Sequence, residues 1–192
     1  MGQYDSVRGR VPRVSKLIVI GGGVRSGKSR FALELARGYG KRCAFIATAR
    51  PGDAEMARRI ERHRGERGSE FETVEEHVDV PAALEGVADR DAVVIDCLTL
   101  WLSNLLEGDL DQREILACVD RLVAVASTAS CATIVVSNEV GMGIVPTSSL
   151  GRAFRDLAGL AHQRLSAGAD EIYLATMGTV LKVRPSPLEV RR

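Results

Sequence analysis

"LIVIGGGVRSGKS", residues 17–29, is an apolar run that breaks into a glycine-rich turn and closes on Lys-Ser. Within it, "GGVRSGKS" satisfies G-x-x-x-x-G-K-[ST]. That pattern has a mechanism in one context only, a buried strand before it and a helix after it. Both are predicted here: Leu17–Ile20 read as strand, and residues 27–37 read as a helix that stops near Gly38 and Gly40. In such a loop the backbone of Gly22, Gly23, Val24, Arg25, Ser26 and Gly27 turns its N–H groups around phosphate oxygens, whose charge the helix N-terminus favours. Lys28 is expected to reach the β- and γ-phosphates, and the Ser29 hydroxyl to ligate Mg²⁺. The stretch predicts a P-loop and, with it, the fold.

Outward from the loop, short apolar runs alternate with helical patterns. Strands are predicted at 16–20, 43–48, 92–96, 133–137, 171–176 and 179–183. The last two are separated only by Met177 and Gly178, too few residues for a crossover. The expected architecture is therefore α/β, a P-loop NTPase-type, mostly parallel sheet flanked by helices, whose C-terminal β-hairpin gives one antiparallel edge strand. Helical periodicity is clear over 111–127 (Ile115, Val119, Leu122, Ala126) and 152–167 (Phe154, Leu157, Ala161, Leu165). Residues 1–16 read as a flexible extension and 17–192 as a single nucleotide-binding catalytic domain.

Composition removes several functions. With 45% hydrophobic residues in 192, one compact core is affordable. A net charge of +1 and 4% aromatic residues disfavour a nucleic-acid partner. No apolar run has transmembrane length. Cys43, Cys97, Cys118 and Cys131 contain no CxxC pair and read as free thiols, implying a reducing, cytoplasmic setting.

Polar residues gather where strands end: the P-loop, Thr48, Asp96 and Asn138-Glu139. Ligands of open α/β sheets bind at that edge. Asp96 fits the acidic position that holds Mg²⁺ beside the Ser29 hydroxyl. In "SNEVGMGIVP" (137–146), Gly141 and Gly143 are expected to permit unusual backbone or close approach, in a loop facing the acceptor or the phosphates. His77 is expected on the exposed surface, His162 in a structural role, and Trp101 in the core or between subunits.

"ARRIERHRGERG", residues 57–68, sets His63 among five arginines. A helix from Asp53, its candidate N-cap, to Arg64, with Gly65 as its stop, would place Met56, Ile60 and His63 on one face. Three readings stay open on the residues alone. The segment is a solvated helix, or an arginine-rich lid of a small-molecule kinase, or the seat of a histidine that attacks the α-phosphate of a triphosphate. The last needs a neutral imidazole, which an unperturbed histidine, pKa about 6.5, mostly is at pH 7.

"GGVRSGKSRFALELA", "DAEMARRIERHRGERG", "VVIDCLTLWLSNLL" and "SNEVGMGIVP", in this order, resemble the bifunctional adenosylcobinamide kinase/adenosylcobinamide-phosphate guanylyltransferases of cobalamin biosynthesis. The resemblance runs from about Leu17 to Val183. It implies two reactions: phosphorylation of adenosylcobinamide by ATP or GTP with Mg²⁺, then transfer of GMP from GTP through a guanylyl-histidine to adenosylcobinamide phosphate. On this chain the histidine falls on His63. Nucleotide contacts fall on Gly22–Ser29, on Ala47, Thr48 and Ala49, on Arg64, Gly65, Glu66 and Arg67, and on Glu75 and Asp96. A homotrimer is implied as well, with the apolar helix around Trp101 as candidate subunit surface. Three positions depart from the family pattern: Asp96 stands for a glutamate, Ala49 for a serine and His162 for an asparagine.

Overall fold

The computed structural model describes residues 15–52 and 54–185; within the helix that carries His63, the side chains of Glu55, Met56, Ala57, Arg59, Arg62, His63 and Glu66 lie outside the described residues. The predicted extension (1–16, apart from its last two residues) and the predicted cap Asp53 also lie outside them. Seven strands form one sheet: β1 (Lys16–Gly22), β2 (Cys43–Ala47), β3 (Phe71–Glu75), β4 (Ala92–Asp96), β5 (Ala132–Asn138), β6 (Glu171–Thr176) and β7 (Thr179–Arg184). Their order is β3-β2-β4-β5-β1-β6-β7. All neighbours are parallel except β6 and β7. The predicted hairpin is present, turning on Met177 and Gly178, both with positive φ.

Between the strands run α1 (Lys28–Arg37), α2 (Ala54–Arg67), α3 (Val80–Gly86), α4 (Leu98–Glu107), α5 (Gln112–Thr128) and α6 (Ser149–Gly168). A parallel sheet needs cover on both faces, which is why its central strands read as unbroken apolar runs. One face of β1, β4 and β5 packs with α3–α6 around Trp101, Leu102, Ile115 and Leu165. The other face packs Ala32, Leu33 and Ala36 of α1 against Ile18, Ile20, Val94 and Ile134. Burial at the usual ~25 cal/mol per Å² makes these two clusters the main favourable term of the fold.

The differences from the sequence reading have local causes. β3 is an edge strand in which only Phe71 is fully buried, so "FETVE" carries little hydrophobic signal. α3 has only seven residues; Asp79 caps it, accepting from the Ala82 N–H at 3.2 Å, and Pro81 lies in its first turn. α2 does not stop at Gly65 but runs to Arg67 and ends at Gly68, where φ is +78°. α6 starts at Ser149 because the Ser148 hydroxyl accepts from the Gly151 N–H at 3.1 Å. Trp101 is wholly buried and its Nε1–H donates to the Val78 carbonyl at 2.7 Å. The apolar side of α4 is thus spent on the chain's own core. Cys43, Cys97, Cys118 and Cys131 are free, as expected. Among the described residues no helix is long and apolar enough to cross a membrane.

On the β6–β7 side, Glu171 receives Lys16 Nζ–H, the Tyr173 hydroxyl and, at 3.1 Å, Lys182 Nζ–H. Burial pushes its carboxyl up, but these donors outweigh burial and hold it at about 2. A carboxylate depressed in the fold stabilises it fully above its unfolded value, about 4.3, and ceases to do so as pH falls toward the folded one. We therefore expect stability to urea to fall between pH 4.5 and 2, and Glu171→Gln to flatten that slope while lowering stability at pH 7.

Candidate functional site

The strand register sets the site. Gly22 of β1 lies beside Asn138 of β5, and Ala47 of β2 beside Asp96 of β4. Four adjacent strands therefore deliver their last residues to one edge, the carboxyl edge of the sheet. Gly22 is obligatory there: a Cβ would sit 2.4 Å from the Ala175 carbonyl oxygen and 2.8 Å from Ser26 Oγ. Beyond it the loop turns through Arg25, at φ +55°, and enters α1 from Gly27 with no side chain capping the helix. The first N–H groups of α1 are thus left to a ligand. Lys28 is buried beneath the loop and its Nζ–H donates to the Gly23 carbonyl at 3.1 Å. Gly23, Val24 and Arg25 are exposed; Ser26 is buried, its hydroxyl without a partner.

Two cavities open at this edge and share one wall made of Ser29, Phe45, Arg67 and Asp96. The first, of 510 Å³, adds Arg25, Gly27, Arg30 and Arg37. The second, of 310 Å³, has Lys28, Cys97 and Asn138 on the sheet side, Ala47, Ala49 and Pro51 after β2, and Ile60 and Arg64 from α2 facing Glu75 of β3. The helix that bears His63 therefore forms a wall of the P-loop cavity.

The charge balance around that wall is cationic. Arg67 is buried, with its guanidinium 4.1 Å over the Phe45 ring. Burial, then Arg64, lowers its pKa, against the opposing pull of Asp96, Glu75 and Glu61. Arg64 Nη2–H donates to Glu75 Oε1 at 2.8 Å. A phosphate would relieve the mutual repulsion of these arginines. Burial, then Asp96, pushes the neighbouring Cys97 thiol up to about 11, so it stays protonated and inert.

Most predicted contacts meet here: Gly27, Lys28, Ser29, Ala47, Ala49, Arg64, Arg67, Glu75 and Asp96 line one cavity or both, as does Arg25. Thr48 does not. It is wholly buried, donating to the Cys97 carbonyl and accepting from the Cys97 N–H, both at 2.8 Å, so it ties β2 to the start of α4. Gly65 is an exposed helical residue with open space about it. The side chains of His63 and Glu66 lie outside the described residues. Sequence reasoning missed Phe45, Pro51, Leu100 and Ile60 as cavity residues, because an apolar wall and an apolar core look alike in a sequence. His77 is not on the exposed surface: half-buried, its Nδ1 lies 3.3 Å from the Thr48 carbonyl. His162 is held by Ser137, with Nε2 2.6 Å from Oγ, and its Nδ1 is 3.9 Å from Glu139 Oε2. Burial lowers its pKa, Glu139 opposing. Gly141 and Gly143 avoid the left-handed region; only Gly141 has a close neighbour, Glu139 Oε1, 2.9 Å from where a Cβ would be.

Residues 18–183 match the model of the cobinamide kinase / cobinamide phosphate guanyltransferase family. The chain belongs to that family. It is 38% identical over 174 residues to the bifunctional adenosylcobalamin biosynthesis protein CobP of Pseudomonas aeruginosa, covering 87% of this chain and 96% of that one. To the bifunctional adenosylcobalamin biosynthesis protein CobU of Salmonella typhimurium it is 37% identical over 182 residues, 88% of this chain and 99% of that one. The KaiC-like protein PH0186 of Pyrococcus horikoshii shares the fold, with a TM-score of 0.52 at 14% identity over 92% of this chain and 83% of that one. As a member of this family the chain is an enzyme, a nucleotide-binding transferase of cobalamin biosynthesis.

For the edge itself the tie made by Thr48 has a measurable weight. Thr48→Val keeps the shape but strands the Cys97 N–H, and about 1–3 kcal/mol of stability is expected to be lost in urea unfolding, with Thr48→Ser recovering most of it.

Proposed function

We propose that the chain runs both reactions of its family at this one edge: phosphorylation of adenosylcobinamide, then guanylylation of the product through His63. The observation that carries the reading is that α2, with His63 on it, walls the cavity into which Lys28, Ser29 and Asp96 converge.

In the first reaction the P-loop N–H groups and Lys28 hold the triphosphate. The aminopropanol hydroxyl of the acceptor attacks the γ-phosphorus, the bond to the β,γ-bridging oxygen breaks, and the nucleoside diphosphate leaves. In the second, a ring nitrogen of His63 attacks the α-phosphorus of GTP and pyrophosphate leaves. A phosphate oxygen of adenosylcobinamide phosphate then displaces the histidine, giving adenosylcobinamide-GDP and restoring the imidazole. Arg64 and Arg67 offset charge on the transferring phosphates, and the loss of water from the cavity strengthens that effect.

Mg²⁺ fits the residues present. Among the described residues no three His, Cys, Asp or Glu side chains form a metal cage. Mg²⁺ in nucleotide sites takes one or two protein oxygens and fills the rest of its shell with phosphate and water. The Ser29 hydroxyl and the Asp96 carboxylate, both on the shared wall, would supply those oxygens. When bound, the ion would neutralise phosphate charge. Asp96, in place of the longer glutamate, sets that carboxylate nearer to its strand. Family membership also supports a cytoplasmic homotrimer, which sedimentation would test.

GTP labelled at the α-phosphate should leave acid-labile, base-stable label on the denatured protein, and γ-labelled GTP should leave none. His63→Ala should lose the label yet still phosphorylate cobinamide. Lys28→Ala should slow both transfers about 100-fold or more. A folded, GTP-binding protein that takes no label would remove the covalent role of His63.

A further inference from the structure

The two cavities hold 510 Å³ and 310 Å³ and are lined largely by groups suited to nucleotide and phosphate. A corrin macrocycle, with its peripheral amides and upper adenosyl group, is too large to enter either. Only its aminopropanol arm needs to reach the transferring phosphorus. The macrocycle must therefore rest on the surface beside the mouth, on a face that matches its methyl-rich body.

Such a face follows directly from Asn138, which lines the second cavity. The next residue, Glu139, donates its backbone N–H to the Gly22 carbonyl at 3.0 Å, so the chain leaves the sheet against the P-loop. Within the following eleven residues Met142, Ile144, Val145 and Leu150 are 83%, 97%, 56% and 66% exposed. Single exposed apolar residues are ordinary, but four of this size within nine residues of chain that leaves an active edge are not.

The segment is held in this pose at both feet. At the first, Glu139 Oε1 accepts the Gly141 N–H, and Val140 packs on the core. At the second, Arg152 Nη1–H donates to the carbonyls of Pro146 at 3.0 Å and Thr147 at 2.7 Å, and Gly151 lets Pro146 lie against α6. Between these feet Met142, Ile144 and Val145 stand exposed.

We propose that Met142, Ile144 and Val145 form the docking face for the corrin ring of the acceptor, in both reactions. The inference rests on the function proposed above and adds to it where the acceptor binds. The aminopropanol arm then enters past Asn138 toward Ser29 and Asp96, while the nucleotide occupies the cavities.

The test is steady-state kinetics of Met142→Ser, Ile144→Ser and the double variant with cobinamide and, separately, cobinamide phosphate. The side chains are exposed, so folding should persist, and label from α-labelled GTP in the absence of acceptor should match the wild type. KM for both acceptors should rise about tenfold or more in the double variant. KM for the nucleotide should hold, and Val183→Ser, at an exposed apolar residue of the edge strand β7, should change neither. An active wild type with acceptor KM unchanged in the variants overturns the docking face alone. The same unchanged KM with a smaller assembly by sedimentation also overturns it, assigning the face to contacts between copies. A wild type that transfers nothing to either acceptor overturns the proposed function itself, and the docking face with it.

Discussion

The close approach of Gly22 to β6 is the constraint on which the active edge depends. β1 is wedged between β5 and β6, with Ile18 and Ile20 fully buried, and its last residue must pass within contact distance of the Ala175 carbonyl. Any side chain there would push the strand or the loop aside. Because the strand can end so tightly, the loop turns at once, α1 begins at Lys28, and its N-terminus points across the edge. The phosphate-binding geometry is thus a consequence of strand packing rather than of the loop alone.

A second dependence runs sideways along the sheet. Thr48 stitches β2 to the residue after Asp96, and Asn104 of α4 donates to the carbonyls of Thr48 at 2.8 Å and His77 at 3.1 Å. Asn138 reaches back to Thr99 at 2.9 Å. The carboxyl ends of β2, β4 and β5 are therefore cross-braced by buried side chains, which form their bonds in low dielectric where leaving them unmade is costly. The bracing holds Asp96 between β2 and β5, and α2 is tied to β3 separately, Arg64 to Glu75 at 2.8 Å and Arg67 to Thr73 Oγ1 at 3.4 Å.

Of the three departures from the family pattern, Asp96 sits within that bracing, its carbonyl accepting the Thr48 N–H at 3.3 Å, while His162 and Ala49 fall outside it. His162 rests on Ser137 and faces Glu139 at the foot of the outward apolar loop, and Ala49 lines the cavity without a hydroxyl. Each changes the rim of the site and leaves the P-loop intact.

The sequence by itself determined the P-loop, the α/β class and six of the seven strands, including the hairpin. Each is written in neighbouring residues: a glycine pattern between strand and helix, apolar runs of strand length, two residues too few for a crossover. It also marked His63 and its arginines as unusual, and family resemblance supplied a role for them. Only the tertiary structure decided that Thr48 is a brace, that His77 is half-buried, that Trp101 and α4 fill the chain's own core, and that Phe45, Ile60 and Leu100 face a cavity. β3 and α3 belong with these, since each is too short or too polar to announce itself and is held by its neighbours. The physical reason is common to all of them. Burial and register are relations between residues distant in the chain, and an apolar side chain carries the same local signature whether it will meet another side chain or a ligand.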